Sequence, residues 1–108
     1  RKYDHGDRLI FHDLKLDNAS KSAFVKGKNI DLSRQEYEVL EILLFNRGIN
    51  ITREKIIDRV WESNLYGVND NTLTVTIKRL REKLGDYGKY IKTSRGIGYR
   101  WENLDEKL

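Results

Sequence analysis

No cysteine occurs in the chain, which removes disulfide cross-links and thiolate metal sites. Histidine is scarce as well: His5 and His12 stand without a partnering cluster and read as ordinary surface residues. No apolar run approaches the ~20 residues of a membrane span, and no charged-then-apolar leader precedes the domain, so a soluble cytoplasmic protein is expected. No carboxylate pair, nucleophile–base arrangement or metal-ligand cluster is visible. The chain therefore reads as a non-enzyme that takes no cofactor.

What the sequence has in quantity is charge. Charged residues make up 35% of the 108 positions and hydrophobics 38%. The hydrophobics are periodic rather than diluted, which fits one folded domain with a single core. Net charge is +4, unevenly spread. Residues 71–101 hold eight Lys and Arg against two Asp and Glu, a local +6, whereas residues 1–50, 51–70 and 102–108 carry +1, −1 and −2. A block of that sign and density concentrates polyanions. Membrane phospholipid is a poorer fit, because the block lacks the wide apolar face of an interfacial helix.

The block begins with Asn71–Leu84. Wound at 100° per residue, Leu73, Ile77, Leu80 and Leu84 fall on one narrow stripe. Asn71, Thr72, Val75, Lys78, Arg79 and Glu82 occupy the opposite face, with Thr76 and Lys83 on one flank. Arg81 falls close to the apolar stripe and is expected to reach outward past the helix edge. Thr and Val methyls suit thymine methyls, and Arg or Lys suits guanine or phosphate, so this face could fill a DNA major groove. A solvated basic face is the plainer reading of the same pattern.

Upstream, residues 1–7 read as a linker end. Short apolar pieces at Leu9–Phe11, Leu14–Leu16, Ala23–Val25 and Asn29–Leu32, broken by turn residues, predict a four-stranded antiparallel meander that must lean on helices. Ser33-Arg34-Gln35-Glu36 is a capping box opening a largely buried helix that carries Tyr37, Val39, Leu40, Leu43 and Leu44 and closes at Asn46-Arg47-Gly48. Thr52 caps a shorter helix with Ile56, Ile57 and Val60, ending near Trp61. Glu62–Asp70 shows no period and reads as a loop, too long for a tight helix-turn-helix. After the third helix, Gly85-Asp86-Tyr87-Gly88 breaks the pattern. Tyr90–Thr93 and Tyr99–Trp101 then form a hairpin around Ser94-Arg95-Gly96-Ile97-Gly98, a flexible finger able to approach another backbone closely. An arginine at such a tip suits the negative potential of a minor groove. Residues 103–108 read as a tail.

Four motifs in order, Ser33-x-x-Glu36-Tyr37-x-x-Leu40, Thr52-Arg53-Glu54-Lys55 through Val60-Trp61, Thr72-Leu73-x-Val75-x-Ile77-x-Arg79-Leu80-Arg81-x-Lys83-Leu84 and Ile91-x-Thr93-x-Arg95-Gly96-x-Gly98-Tyr99-Arg100, resemble the winged-helix effector domain of OmpR/PhoB-type response regulators. The likeness runs from about Leu9 to Trp101. It implies an α+β winged helix-turn-helix over residues 8–102: a four-stranded antiparallel sheet, three helices and a C-terminal β-hairpin wing. It also implies a bacterial transcription regulator that binds double-stranded DNA at direct repeats as a dimer. The lack of a long heptad seam or large exposed apolar stripe makes the isolated domain a monomer. A receiver domain N-terminal to Arg1 would couple it to a sensor kinase, and the Glu62–Asp70 loop would be able to touch RNA polymerase. By the same resemblance Arg53, Trp61, Thr72 and Thr93 hold phosphates, Val75, Lys78 and Arg79 face bases or backbone in the major groove, Arg95 enters the minor groove and Tyr99 lies near phosphate. Asn71 and Thr76 stand where many members have Arg and His, Thr74 where an acid or other polar group is common, and Ser94 where valine is common. The base preference of the family is therefore not inherited automatically. A second class of function stays open, a winged-helix module whose basic block binds an acidic protein.

Overall fold

The computed structural model describes residues 9–61 and 70–102. The linker end, His5, the tail and residues 62–69 of the long connection lie outside the described residues. Strands β1 (Ile10–Phe11), β2 (Leu14–Asp17), β3 (Ser22–Val25) and β4 (Lys28–Asn29) form the expected antiparallel meander in sequence order. Along β2, Leu14 and Leu16 are buried while Lys15 and Asp17 face solvent, the period-2 pattern of a sheet with one face covered. Leu14 sits opposite Val25, and Leu16 opposite Ala23. The fourth strand ends sooner than its apolar residues suggest. The Ile30 amide still donates to the Ala23 carbonyl at 3.0 Å, but Asn29 Oδ1 accepts from the Asp31 amide at 2.7 Å and Asp31 turns to φ 54°. This local side-chain turn diverts the chain toward the first helix before the ladder can lengthen.

Helix α1 (Arg34–Phe45) opens on the capping box as written: Ser33 Oγ accepts from the Glu36 amide at 3.1 Å, and Glu36 Oε1 accepts from the Ser33 amide at 2.8 Å. Tyr37, Val39, Leu40, Leu43 and Leu44 are all buried. Asn46 closes the helix, its side-chain amide donating to the Ile42 carbonyl. Gly48 follows at φ 81°, and its amide donates to the Trp101 carbonyl at 2.7 Å. Strand β5 (Ile51–Thr52) was not anticipated. It leads directly into α2 (Arg53–Val60), capped by Thr52 Oγ1 accepting from the Lys55 amide. Helix α3 spans Asp70–Leu84 and buries Leu73, Ile77, Leu80 and Leu84. The glycine-flanked break after it is a 3-10 turn, Gly85–Tyr90, and β6 (Ile91–Ser94) and β7 (Gly98–Trp101) complete the chain.

The wing is therefore one part of a three-stranded sheet ordered β5-β7-β6. Thr52 lies opposite Gly98 and Ile51 opposite Tyr99. A Cβ at position 98 would overlap the Ile51 carbonyl oxygen, so glycine is what lets β5 approach. The close backbone approach expected of this glycine is thus made within the chain, and the hairpin is held against β5 beside its tip. Ile91 and Trp101, paired across β6 and β7, are both buried. Tyr90 stacks on Trp101 with ring centroids 5.5 Å apart, and Phe11 of β1 meets Trp101 edge-on at 5.2 Å. That aromatic cluster joins both sheets to one hydrophobic core with the helices. No helix among the described residues is long and apolar enough to cross a membrane.

Candidate nucleic-acid interface

Helix α3 has two flanks that hold it in place and a ridge between them. On the wing flank, Arg81 does not reach outward. Its Nε and Nη2 donate to the Ile91 carbonyl at 3.2 and 2.8 Å, and Nη2 also donates to Thr93 Oγ1 at 3.0 Å. The first carbonyl of β6 needs a donor, and a forked guanidinium one strand-width away supplies it. Thr93 is exposed, and its hydroxyl oxygen is drawn toward α3 by this contact.

The same flank carries a second tie. The Arg53 guanidinium donates from Nη1 to the Tyr99 hydroxyl at 2.8 Å and from Nη2 to Thr74 Oγ1 at 2.9 Å, and it lies 5.6 Å from the Tyr99 ring centroid. The Arg53 amide donates to the carbonyl of Ile97 at the wing tip at 3.3 Å. One residue at the start of α2 therefore touches the wing tip, a wing strand and α3. Tyr99 is buried, and its hydroxyl accepts from that guanidinium.

On the opposite flank Lys83 donates to Glu36 Oε1 at 2.8 Å and to the Asp31 carbonyl at 2.9 Å, bracing α3 against the capping box of α1. Burial by itself pushes the Glu36 carboxyl up, but the Lys83 ammonium and the Ser33 amide outweigh it and hold the group below the usual carboxylate range. Above this brace runs a groove lined by Ser33, Gln35, Trp61, Thr72, Thr76 and Arg79. Trp61 is half-buried at the end of α2. The Thr76 hydroxyl donates to the Thr72 carbonyl at 2.8 Å, which leaves its oxygen lone pairs as acceptors toward the groove.

The ridge between the flanks carries Asn71, Val75, Lys78 and Glu82, with Val75 half-buried and the others exposed. Arg95 is exposed at the wing tip beside Gly96, which adopts φ 76°. Among the described residues no hydrogen bond or ion pair engages Lys78, Arg79 or Arg95. Arg81 and Lys83 are spent on the flanks, and Arg100 donates to Glu102 at 2.8 Å and to Ser94 Oγ at 3.1 Å. The basic block thus divides into cations that fasten the fold and cations that face outward. The candidate residues likewise fall into sets: Trp61, Thr72, Thr76 and Arg79 in the groove, Arg53 and Tyr99 in the wing tie, Thr93 beside Arg81, and Asn71, Val75 and Lys78 on the ridge, with Arg95 apart at the tip.

Residues 27–101 match the family model described as "Transcriptional regulatory protein, C terminal". The chain belongs to this family. It is 35% identical over 101 residues to the response regulator ArlR of Staphylococcus haemolyticus, covering 92% of this chain and 46% of that protein. Among solved structures, the response regulator DrrB, an OmpR/PhoB homologue of Thermotoga maritima, superposes with a TM-score of 0.75 at 37% identity, over 87% of this chain and 43% of that one. The DNA-binding domain of CpxR from E. coli superposes with a TM-score of 0.78 at 28% identity, covering 88% and 95%. The chain spans a little under half the length of the curated relatives ArlR and VanR.

Within this effector-domain family framework two residues stand out that the helical wheel left unassigned or misplaced. Thr74 lies three residues after Asn71 and four before Lys78, a spacing that puts it beside them on the helix surface. Its partner Arg53 is 21 positions away, so only the fold reveals the contact. Arg81 was visible as an edge residue, but its destination, the Ile91 carbonyl, belongs to another element. No group of three or more His, Cys, Asp or Glu able to hold a metal occurs among the described residues. His12 is exposed at φ 56°, its ring edge-on to Phe11 at 4.5 Å.

Proposed function

We propose that this domain binds double-stranded DNA in a sequence-dependent manner as the effector of a two-component transcriptional regulator, with α3 in the major groove and the wing in the adjacent minor groove. The observation that carries the reading is the outward set Lys78, Arg79 and Arg95, cations on α3 and the wing tip that no hydrogen bond or ion pair engages among the described residues, set against Arg81 and Lys83, which are tied to neighbouring elements. Val75, Lys78 and Arg79 would meet bases or backbone, Arg95 the minor groove, and Arg53, Trp61, Thr72 and Thr93 the flanking phosphates, with Tyr99 behind Arg53. Asn71 and Thr76 lie on the ridge and in the groove, so short polar contacts replace the longer basic ones that many family members offer there. The role of CpxR's matching domain, named for DNA binding, supports the same reading.

A receiver domain elsewhere in a longer protein would bring two copies onto direct repeats about one helical turn, ~10–11 base pairs, apart. The isolated domain is then a monomer in solution, the segment between α2 and α3 is offered to RNA polymerase, and the site of action is the cytoplasm. No chemistry is catalysed. The domain is tested by selecting bound fragments from a random duplex pool and titrating the winner across a salt series. Arg53 and Lys78 as phosphate contacts give a slope of log K against log salt of about −1.8 at ~0.9 per phosphate, steeper where Arg79 and Arg95 also meet phosphates. Affinity indifferent to salt, or a selection that returns no shared sequence, would refute it, and tight binding to an acidic protein instead would favour the interaction-module reading.

A further inference from the structure

We infer that Thr74 is a positioning residue, whose hydroxyl holds the Arg53 guanidinium in register between α3 and the wing so that DNA affinity depends on Thr74 through Arg53. The inference rests on the DNA-binding reading and adds to it a residue to which that reading gives no role. Thr74 Oγ1 accepts from Arg53 Nη2 at 2.9 Å, and the Tyr99 hydroxyl accepts from Nη1 at 2.8 Å. Two acceptors on different elements, one at each arm of a planar fork, fix the plane of the guanidinium as well as its position. The Arg53 amide is meanwhile bonded to the Ile97 carbonyl, so the residue is tied to the wing at both its backbone and its side chain. Thr74 supplies a side-chain acceptor on α3 for Arg53. Without that acceptor the Nη2 arm of a side chain with about four rotatable bonds is held less firmly, and a phosphate must do part of the ordering. An arginine aimed by neighbouring hydroxyls meets a phosphate already oriented, and its spacing to the wing tip is fixed with it.

Thr74 is exposed on the helix surface, so replacing it leaves the core untouched. Thr74→Val keeps shape and removes the acceptor, while Thr74→Ser keeps the hydroxyl. Fluorescence anisotropy of the 108-residue chain against a duplex selected by the wild type, and against a scrambled duplex, measures both. Thr74→Val is expected to weaken binding to the two duplexes about five- to tenfold, the cost of ordering one rotamer-rich side chain on binding. Thr74→Ser should restore most of the affinity. In an Arg53→Ala background Thr74→Val should cost nothing further, since the residue it acts through is gone. Melting curves of each variant check that the fold is kept, and Thr74→Ala, the best helix former and without an acceptor, serves where valine lowers it. Unchanged affinity in Thr74→Val, an equal loss in both backgrounds, or a serine variant as weak as the valine one would each overturn the inference while leaving DNA binding intact. A wild-type chain that binds neither duplex would overturn the DNA-binding reading and this inference with it.

Discussion

Replacing Lys83 with methionine tests the brace between α3 and α1. The ammonium sits 2.8 Å from Glu36 Oε1, and the carboxylate is 5% exposed, against 38% for the lysine side chain. Methionine keeps the aliphatic stem and removes the charge, leaving Glu36 with the hydrogen bond from the Ser33 amide. Breaking a fully buried pair costs about 3–5 kcal/mol. The open side of Lys83 and the surviving amide bond reduce that to about 2 kcal/mol. For a domain of this size the melting temperature should fall by about 10 °C.

The pH dependence carries the sharper check. The wild-type Glu36 carboxyl is held below its unfolded value of ~4.3, so its contribution is complete above that pH and is lost as pH falls through the folded pKa. In Lys83→Met burial is opposed by the Ser33 contacts without the lysine, so the folded pKa rises and protonation relieves the variant as the solution is acidified. The deficit should therefore be greatest near neutrality and shrink toward pH 4. Thermal melts followed by circular dichroism across that range, repeated in a Glu36→Gln background, measure it. A deficit that is flat with pH, or one that persists undiminished beside glutamine, would refute the assignment of the cost to the Glu36 charge.

Gly98→Ala should lower stability by about 1–3 kcal/mol, because the new methyl overlaps the Ile51 carbonyl and must push β5 off β7; denaturant titration reads this, and an unchanged midpoint would show that the sheet yields freely. Arg95→Ala should weaken binding more for A·T-rich flanks than for G·C-rich ones, since a narrow minor groove attracts arginine most strongly; equal losses in parallel titrations would mean that the wing reads no groove shape. Arg79→Ala should cost about 1–3 kcal/mol on the selected site and much less on a scrambled one if it meets a base bidentately, whereas Lys78→Ala should weaken both alike. A competition assay with the two duplexes separates these outcomes.

Much of the fold was legible because its signals are local. The Ser33–Glu36 box, the Thr52 cap and the Leu73/Ile77/Leu80/Leu84 stripe each involve residues within one or two turns of each other, and all appear where the sequence put them. Strand β5 was not legible: two residues, Ile51 and Thr52, carry no periodicity, and only their register with Tyr99 and Gly98 makes them a strand. The end of β4 was misjudged because a single Asn29–Asp31 side-chain turn outweighs the strand preference of Ile30 and Leu32. Helix winding separated the faces of α3 correctly, yet it could not say which cations turn inward. That depends on what stands opposite each flank, such as the Ile91 carbonyl for Arg81 and Glu36 for Lys83.

The division of α3 into two fastened flanks and an open ridge has a consequence for how such a domain can change its target. Asn71, Lys78 and Glu82 are exposed, and exchanging them for other helix-tolerated residues should move stability by no more than about 0.5 kcal/mol. The positions that anchor the helix, Arg81 to β6 and Lys83 to α1, lie to either side of that ridge. New base preferences can therefore accumulate on the ridge one residue at a time, over a frame whose stability does not register the change.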